Sequence, residues 1–318
     1  MKLSAKAATL IILIALVALA PLVFPSNFYY RVGSLIFVNS IAVIGVVILT
    51  GYAGQVSLGQ AGFAGIGGYA CALAPVHLGV PPVLAVVLGA AISGLLAFLV
   101  GRPVLRLKGY YLGVATLGLG ILVSMVLNNE RALTRGPDGI EVAELGLREL
   151  LRGLGLNLSN GQFWYFFCGI CMIAGAWLAL NIRNSPSGRA LRALHDSEVA
   201  AGTVGVDVAR IKLQAFVISA VYASVSGSLL ALQNKFITPD VAGFMHSIEM
   251  VTMAVLGGVN SVLGAIFGAA ILTLLPQALT VFADYEQMVL GLIMVLVMIF
   301  LPRGLLPSIL RKLKRSGE

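Results

Sequence analysis

Long runs of apolar residues, separated by short polar connections, make up most of this 318-residue chain. Because about 20 apolar residues cross the hydrocarbon core of a bilayer, each such run predicts a membrane-spanning helix. The clear runs cover residues 7–24, 33–50, 82–101, 110–128, 163–181, 213–232, 262–280 and 286–302. Two further runs are irregular. Residues 56–75 are rich in glycine, which predicts a broken or partly spanning segment, and residues 246–258 are short, which predicts a half-helix or a re-entrant segment.

The pattern therefore predicts an all-α polytopic membrane protein of about ten transmembrane or partly spanning helices. Residues 1–318 form a single transmembrane domain in this interpretation. The first run also has features of a signal peptide, with Lys2 and Lys6 before an apolar stretch that ends in Ala18-Leu19-Ala20. Pro21 would directly follow that cleavage site. The run is long enough to span, so an uncleaved first helix is the preferred interpretation.

Charge agrees with a membrane location and predicts an orientation. Charged residues make up 11% of the chain and the mean hydropathy is +0.98, whereas soluble domains carry about 25% charged residues. Ten crossings place both termini on one side, and basic loops stay in the cytoplasm. If the N-terminus is cytoplasmic, the inside holds 15 of the 21 basic residues. These are Lys2, Lys6, Arg102, Arg106, Lys108, Arg183, Arg189, Arg192, Arg210, Lys212, Arg303, Arg311, Lys312, Lys314 and Arg315.

The remaining basic residues then face outward. They are Arg31, Arg131, Arg135, Arg148, Arg152 and Lys235. The sequence therefore predicts cytoplasmic N- and C-termini. The net charge of +8 follows from this distribution over loops and does not predict nucleic-acid binding.

A polar, basic loop at residues 182–211, between two apolar runs, is the most informative feature. Ser185 and its neighbours offer turn and N-cap chemistry, and residues 188–201 then predict a helix that Gly202 and Gly205 end. Asp207 is expected to cap a second, short helix that leads into the membrane. A short helix with alternating apolar and charged positions suits a groove on a soluble partner. A solvated loop is the alternative.

The longest loop on the opposite side covers residues 130–162. A turn at 136–139 (GPDG) opens it, and the apolar positions after the turn predict an amphipathic helix over 142–151. Such a helix lies on the membrane surface or forms a platform for an external partner.

Polar residues at membrane depth define a candidate pathway. Gln55, Ser57 and Gln60 lie within a glycine-rich stretch at a membrane boundary, where unwound backbone is tolerated only when buried in protein or lining a cavity. Glu249 is a carboxylate inside an apolar run, which makes it a functional hypothesis by default. It is expected to meet a helix dipole, a backbone donor or a substrate amine, or else to lie at the interface.

The chain carries no sequence signature of an enzyme. It has no P-loop and no HExxH motif, so neither ATP binding nor a metalloprotease site is predicted. Cys168 and Cys171 form a CxxC motif without a second pair or a histidine partner, which favours small packing residues over a redox or metal site. No catalytic residue, metal or cofactor is predicted. With few charges in the spans, energy for transport is expected from a partner.

Several ordered sequence blocks resemble the permease subunits of ABC importers for branched-chain amino acids, specifically the LivM type. The blocks are GYAGQVSLGQAGFAGIGGYA at 51–70, LKGYYLGVATLGLG at 107–120, LTRGPDGI at 133–140, SPSGRALRALHDSEVAAGTVGVDVARIKLQAFVISA at 185–220, SIEMVTMAVLGGVNSVLGAIFGAA at 247–270 and PRGLLP at 302–307. The likeness covers most of the chain.

This resemblance implies a multi-pass subunit of the bacterial inner membrane, in contact with membrane lipid. It implies a LivH-type sister permease, two ABC ATPases and a periplasmic binding protein, with 130–162 periplasmic and 182–211 a cytoplasmic coupling loop. The residues expected at the ATPase are Arg189, Arg192, Asp196, Glu198, Ala200, Ala201 and Gly205. The loop departs from the family's coupling motif in having Val199 where alanine is usual and in placing its glycine one residue later.

The substrate class stays open at this point. Leucine, isoleucine and valine are the default, but the same family includes permeases for urea, short amides and other amino acids. A stand-alone facilitator, an intramembrane enzyme and a purely structural subunit are the alternatives to an importer permease.

Overall fold

The computed structural model describes residues 5–107, 109–148, 153, 158–278, 288, 291, 292, 295, 304 and 305. Within these residues, seven helical segments are long and apolar enough to cross a membrane. They are α1 (Ala5–Leu19, continued by the 3₁₀ turn Ala20–Val23), α2 (Asn27–Val46, continued by the π-helical turn Val47–Tyr52), α3 (Gln60–Leu78), α4 (Pro82–Val104), α5 (Tyr110–Asn129), α7 (Asn160–Asn184) and α10 (Val208–Asn234). The prediction of a polytopic, helical membrane protein is confirmed.

Shorter elements connect and flank these spans. They are the helices α6 (Arg131–Thr134), α8 (Pro186–Asp196), α9 (Glu198–Thr203), α11 (Phe244–Gly257) and α12 (Val262–Ala278), the 3₁₀ turns Gly136–Asp138 and Pro239–Ala242, and the strands β1 (Ile140–Glu141) and β2 (Phe236–Ile237). The predicted span at 286–302 lies almost entirely outside the described residues, as does the C-terminus. The total of ten crossings and the position of the termini therefore stay predictions.

Two helices form the centre of the bundle. The α10 helix packs against α2, α3 and α4, while α2 also packs against α7 and α12. In the most apolar windows of the α2 and α10 spans, 78% and 72% of the residues are buried, against 11% for α1 and 22% for α4 and α5. Because apolar side chains on the outer helices need an apolar surrounding, α1, α4 and α5 supply the surface that faces lipid or another subunit.

Local capping sets several of the helix boundaries. Ser159 and Gln162 form a capping box at the start of α7, in which each side chain bonds to the other residue's backbone. Asp207 Oδ1 accepts a hydrogen bond from the Arg210 backbone N–H (3.1 Å) and caps α10. Asp207 therefore caps a 27-residue helix, and the expected short second helix is wrong because the sequence continues as helix without a breaker.

The first helix is held against α7 rather than lying apart from the bundle. Leu13 and Val17 are buried, and the Tyr165 hydroxyl donates a hydrogen bond to the Val17 carbonyl (3.2 Å). The Lys6 ammonium donates to Asn181 Oδ1. This packing is that of a membrane span of the bundle; whether the segment stays uncleaved remains a prediction.

The two irregular runs differ from each other in the structure. The run predicted at 56–75 is extended up to Gly59 and then forms a complete 19-residue helix, α3. The run predicted at 246–258 forms the 14-residue α11, about 21 Å long at 1.5 Å per residue and so shorter than the hydrocarbon core. The first run is therefore non-helical only before Gln60 and forms an unbroken helix long enough to span, whereas the second run is short, as expected.

The external connection corrects one prediction. Residues 142–146 are not helical, and helical backbone begins only at Leu147. Ile140 and Glu141 instead pair with β2 in an antiparallel ladder, and the Val142 N–H donates to the Lys235 carbonyl (2.9 Å). A helix over 142–151 is wrong at its start because this backbone pairs with a distant strand, and Glu149 to Leu151 lie outside the described residues.

Candidate functional site

The polar loop 182–211 folds as two short helices rather than one. Ser185 Oγ accepts from the Gly188 N–H (3.2 Å) to start α8, and Ser197 Oγ accepts from the Ala200 N–H (3.3 Å) to start α9. Because Ser197 has an extended backbone (φ −162°, ψ 118°), the helix predicted over 188–201 is interrupted there. The loop is thus a folded unit with its own caps.

One face of this unit is packed and the other is open. Leu191, Leu194 and Ala201 are buried against the bundle. Among the predicted coupling residues, the exposed ones are Arg189, Arg192, Asp196, Ala200 and Gly205. Two valines accompany them. Val199 and Val204 are 78% and 75% exposed, so the open side of this unit carries apolar as well as charged side chains.

Glu198 has a partner within the chain. Its carboxylate pairs with the ammonium of Lys212, whose side chain is 5% exposed while that of Glu198 is 39% exposed. The pair joins α9 to Lys212, a buried residue near the start of α10. The ion pair of Glu198 therefore fixes the position of α9, whereas the arginines of α8 are exposed.

The loop also touches the segment between α2 and α3. Helix α8 packs on the π-helical turn at 47–52, and the Arg183 guanidinium lies 5.9 Å from the centroid of the Tyr52 ring. Gly54 has a left-handed φ of +67°, and a Cβ added there would lie 3.0 Å from His195 Nδ1. Conformation and space both favour glycine at this contact between α8 and the connecting segment.

The connecting segment, residues 53–60, and the first turn of α3 are held by side chains from distant helices. The Leu58 N–H donates to Thr116 Oγ1 on α5 (3.1 Å), and the Ala61 N–H donates to Ser247 Oγ on α11 (3.0 Å). A Cβ added at Gly59 would lie 2.2 Å from the Thr116 carbonyl oxygen. These contacts satisfy backbone N–H groups just before and at the start of α3, which lipid could not do.

Three of the four predicted pathway residues are buried in this segment. Gln55, Ser57 and Gln60 are 4%, 2% and 1% exposed. Within the described part of the chain, both amide atoms of Gln55 and of Gln60 lack a hydrogen-bond partner. A buried amide without a partner costs about 1–3 kcal/mol, so these two groups call for a ligand, a water or a neighbouring subunit.

The fourth predicted pathway residue, Glu249, lies elsewhere on the short helix α11. Its carboxylate is 3.2 Å from His246 Nδ1, and its side chain is 41% exposed. It shares α11 with Ser247, which reaches the connecting segment from the same helix. The structure therefore links α11 to the segment through Ser247 and leaves Glu249 partly open.

On the opposite side of the bundle, a second ion pair fixes the end of α10. Lys235 pairs with the exposed carboxylate of Glu144 beside the two-stranded ladder. The hydrogen bond from Lys235, together with its charge, lowers the pKa of Glu144 below its ordinary value. This contact ties the external segment to the central helix.

Several of these contacts were not predicted from the sequence. Thr116 and Ser247 lie in ordinary apolar runs, and nothing local distinguishes them from helix-packing residues. The Lys212–Glu198 pair joins positions too far apart for a helical i,i+4 signal. The two exposed valines carry no distinct signal in the sequence, since the same loop also holds the buried Leu191 and Leu194.

Cysteine and metal chemistry has little support in the described residues. Cys71, Cys168 and Cys171 are free thiols, and the first two are buried. No group of three or more potential metal ligands occurs in the part of the chain that the structure describes.

Comparison with known proteins adds the family. Residues 29–298 match the family described as "Branched-chain amino acid transport system / permease component". The chain is 32% identical over 297 residues to LivM of Salmonella typhimurium, covering 86% of this chain and 69% of that protein. It is 31% identical over 301 residues to LivM of Escherichia coli, covering 89% and 71%.

LivH of Salmonella typhimurium is 29% identical over 213 residues, covering 64% of this chain and 66% of LivH. These three relatives are named high-affinity branched-chain amino acid transport system permease proteins. No solved structure matches the chain. The match over residues 29–298, together with the helical bundle and its folded polar loop, shows that the chain belongs to the family of branched-chain amino acid transport system permease components.

Proposed function

We propose that this chain is a transmembrane permease subunit of an ATP-driven ABC importer for branched-chain amino acids. It works in the bacterial inner membrane, with both termini and the polar loop 182–211 in the cytoplasm. A LivH-type sister permease, two ATPase subunits and a periplasmic binding protein complete the importer. ATP hydrolysis belongs to the ATPases and not to this chain. The names of the LivM and LivH relatives support the substrate and the pairing.

The geometry of the polar loop carries the proposal. A loop that only connected two spans would not need two N-caps, an ion pair to a buried lysine and packed leucines. Its open face combines the α8 arginines with Val199 and Val204. Exposed apolar side chains together with arginines are a common composition of protein interfaces.

Contacts between the packed side of α8 and residues 47–54 provide a route for coupling. Closure of the two ATPases on ATP would move α8 and α9 as a unit. Because α8 packs on the turn at 47–52 and His195 touches Gly54, that movement reaches the connecting segment directly. The segment in turn is hydrogen-bonded to neighbouring helices: the Leu58 N–H donates to Thr116 on α5, and the Ala61 N–H directly after the segment donates to Ser247 on α11. Alternating access then consists of a rearrangement of these helices around the pathway.

Substitution of the exposed valines tests the docking proposal. V204D places a charge on the open face and is expected to reduce co-purification of the ATPases at least about tenfold, since a buried unpaired charge at an interface costs several kcal/mol. V204M keeps the position apolar and is the matched control. Both variants should appear in the membrane at wild-type abundance, because the side chain is 75% exposed.

The outcome separates the importer from its rivals. Loss of ATPases and of leucine uptake together in V204D, with V204M normal, supports coupling through this face. Uptake that persists without the ATPases would instead make the chain a stand-alone facilitator. ATPases retained in full by V204D would reject docking through the valines.

For the pathway, we propose that Gln55, Ser57, Gln60 and Glu249 face the translocated amino acid at some stage of transport. The unpaired amides of Gln55 and Gln60 support this, since an amide can both donate to a carboxylate and accept from an ammonium group. The polar segment 53–60 at membrane depth supports it as well. Glu249 offers a negative charge for the ammonium end.

Replacement of one glutamine by an apolar residue tests the pathway role. Q60L is expected to change the KM or the turnover of leucine uptake, while the amount of ATPase that co-purifies with the chain stays the same. If Q60L transports normally and raises the melting temperature, the amide is only an unsatisfied polar group and the pathway assignment of Gln60 is rejected. Stimulation of ATP hydrolysis by leucine, valine and isoleucine, compared with urea and acetamide, then decides the substrate class.

A further inference from the structure

A large groove lies between the end of the polar loop and the helix α4, and it shares Glu198, Val199 and Lys212 with the contacts described above. It has a volume of about 990 Å³ and is formed by the last turn of α4, the start of α9 and the first turns of α10. We call it the α4–α10 groove. Its basic lining residues are Arg102, Arg106, Arg210 and Lys212.

The groove has an excess of positive charge. Its acidic residues are Glu198, which pairs with Lys212, and Asp207, which accepts from a backbone N–H as the cap of α10. No ion pair of Arg102, Arg106 or Arg210 occurs among the described residues. Three arginines therefore line one cavity, and the Arg102 guanidinium lies 4.6 Å from the centroid of the Phe98 ring.

An apolar trough continues the groove. A second cavity of about 390 Å³ shares Phe98, Arg210 and Leu213 with the first. It runs along α10 past Val217 and Ile218. The outer side of α4 is also apolar and open, as at Leu95 and Leu99. The charge lies at the ends of the spans and the apolar trough lies along them.

A basic groove that continues into an apolar trough is complementary to an amphipathic anion. Guanidinium groups bind phosphate oxygens in pairs of parallel hydrogen bonds, and basic pockets between transmembrane helices hold anionic lipid head groups. An apolar chain extending from the phosphate would fill the trough along Leu213 to Ile218. A soluble anion would leave that trough empty, and a soluble protein surface would have to enter the apolar layer.

We propose that the α4–α10 groove is a binding site for an anionic phospholipid. Its phosphate lies among Arg102, Arg106 and Arg210, and one acyl chain lies along α10. Because Glu198 and Val199 of α9 form one wall, a bound lipid supports the position of α9. This effect on α9 rests on the proposed coupling role of the loop; the lipid site itself does not.

Native mass spectrometry of the purified full chain, with the subunits that accompany it, tests the site. The complex is taken from nanodiscs of phosphatidylethanolamine with phosphatidylglycerol, and the retained phosphatidylglycerol is counted. The double variant R102Q/R210Q is expected to reduce retention about tenfold. The control R131Q/R135Q removes two exposed arginines from the opposite side of the bundle and should retain lipid as the wild type does.

A second variant keeps every charge. I218W fills the apolar end of the trough and should also lower phosphatidylglycerol retention. Equal retention in the wild type, R102Q/R210Q and I218W would overturn the proposal. Calorimetry with inorganic phosphate separates the sources: binding that R102Q/R210Q abolishes, without selective lipid retention, would make this a phosphate site and reject the lipid. Loss of ATPases from R102Q/R210Q with lipid retention unchanged would make it a protein-docking surface and reject the lipid as well.

Discussion

The ion pair between Glu198 and Lys212 gives a quantitative prediction for the stability of α9. The Lys212 side chain is 5% exposed and that of Glu198 is 39% exposed. E198Q removes the charge that compensates a buried ammonium. Breaking a fully buried pair costs about 3–5 kcal/mol and an exposed pair about 0–1 kcal/mol. For a pair with one buried partner we expect about 1–2 kcal/mol.

Hydrogen exchange of the backbone at 198–203 measures this loss. A cost of 1–2 kcal/mol corresponds to local opening that is about 5–30 times more frequent, and exchange should accelerate by that factor. K212M removes the buried charge itself and keeps a side chain of similar length. It leaves Glu198 in contact with water, so its effect should be smaller than that of E198Q. The double variant E198Q/K212M should resemble K212M.

The non-additivity is the decisive part of this prediction. Two independent contacts would make the effects of E198Q and K212M add. Additive effects, or unchanged exchange in E198Q, would refute the argument that Glu198 fixes α9 by compensating Lys212. D196N removes one carboxylate from the neighbouring helix, where it is exposed, and serves as the control with little expected change at 198–203.

Two further predictions concern the connecting segment and the external ion pair. G59A places a Cβ 2.2 Å from a backbone carbonyl oxygen and should lower the free energy of unfolding by about 1–3 kcal/mol. The control G113A adds a Cβ with nothing within 4 Å and should be neutral or slightly stabilising. Equal effects of the two variants on thermal unfolding would contradict the close approach at Gly59. Lys235 lowers the pKa of Glu144, so its stabilisation is present above the ordinary carboxyl pKa and is lost as pH falls through the lowered value. K235M should therefore lower the melting temperature at neutral pH but not in acid, and a pH-independent difference would contradict this.

The sequence was sufficient for features that depend on local chemistry. Spans such as 82–101 and 110–128 were placed correctly because continuous apolar runs have few alternatives in a bilayer. The caps at Ser185 and Asp207 were also predictable, since each bonds to a backbone N–H three residues away. The break at Ser197 was not predicted, although its residue type permits a cap, because the helical pattern continues on both sides.

Features that depend on distant contacts could not be obtained from one sequence. The strand at Ile140 and Glu141 exists because residues 236 and 237 lie beside it. In the same way, the glycine-rich stretch indicated unwound backbone but not the helices that stabilise it. Thr116 and Ser247 are small polar residues in apolar helices, and only the fold places them at residues 58 and 61.

The position of the connecting segment explains why glycine, amides and the polar loop occur together. The segment contacts α8 at Gly54 and bonds α5 and α11 within the next seven residues. A displacement of α8 by one ångström would have to be absorbed there, since the packed helices on either side deform little. Gln55 and Gln60 lie in this segment with unpaired amides, so movement of α8 alters their surroundings first. If the loop receives the motion of the ATPases, the groups best placed to respond are those proposed to face the substrate.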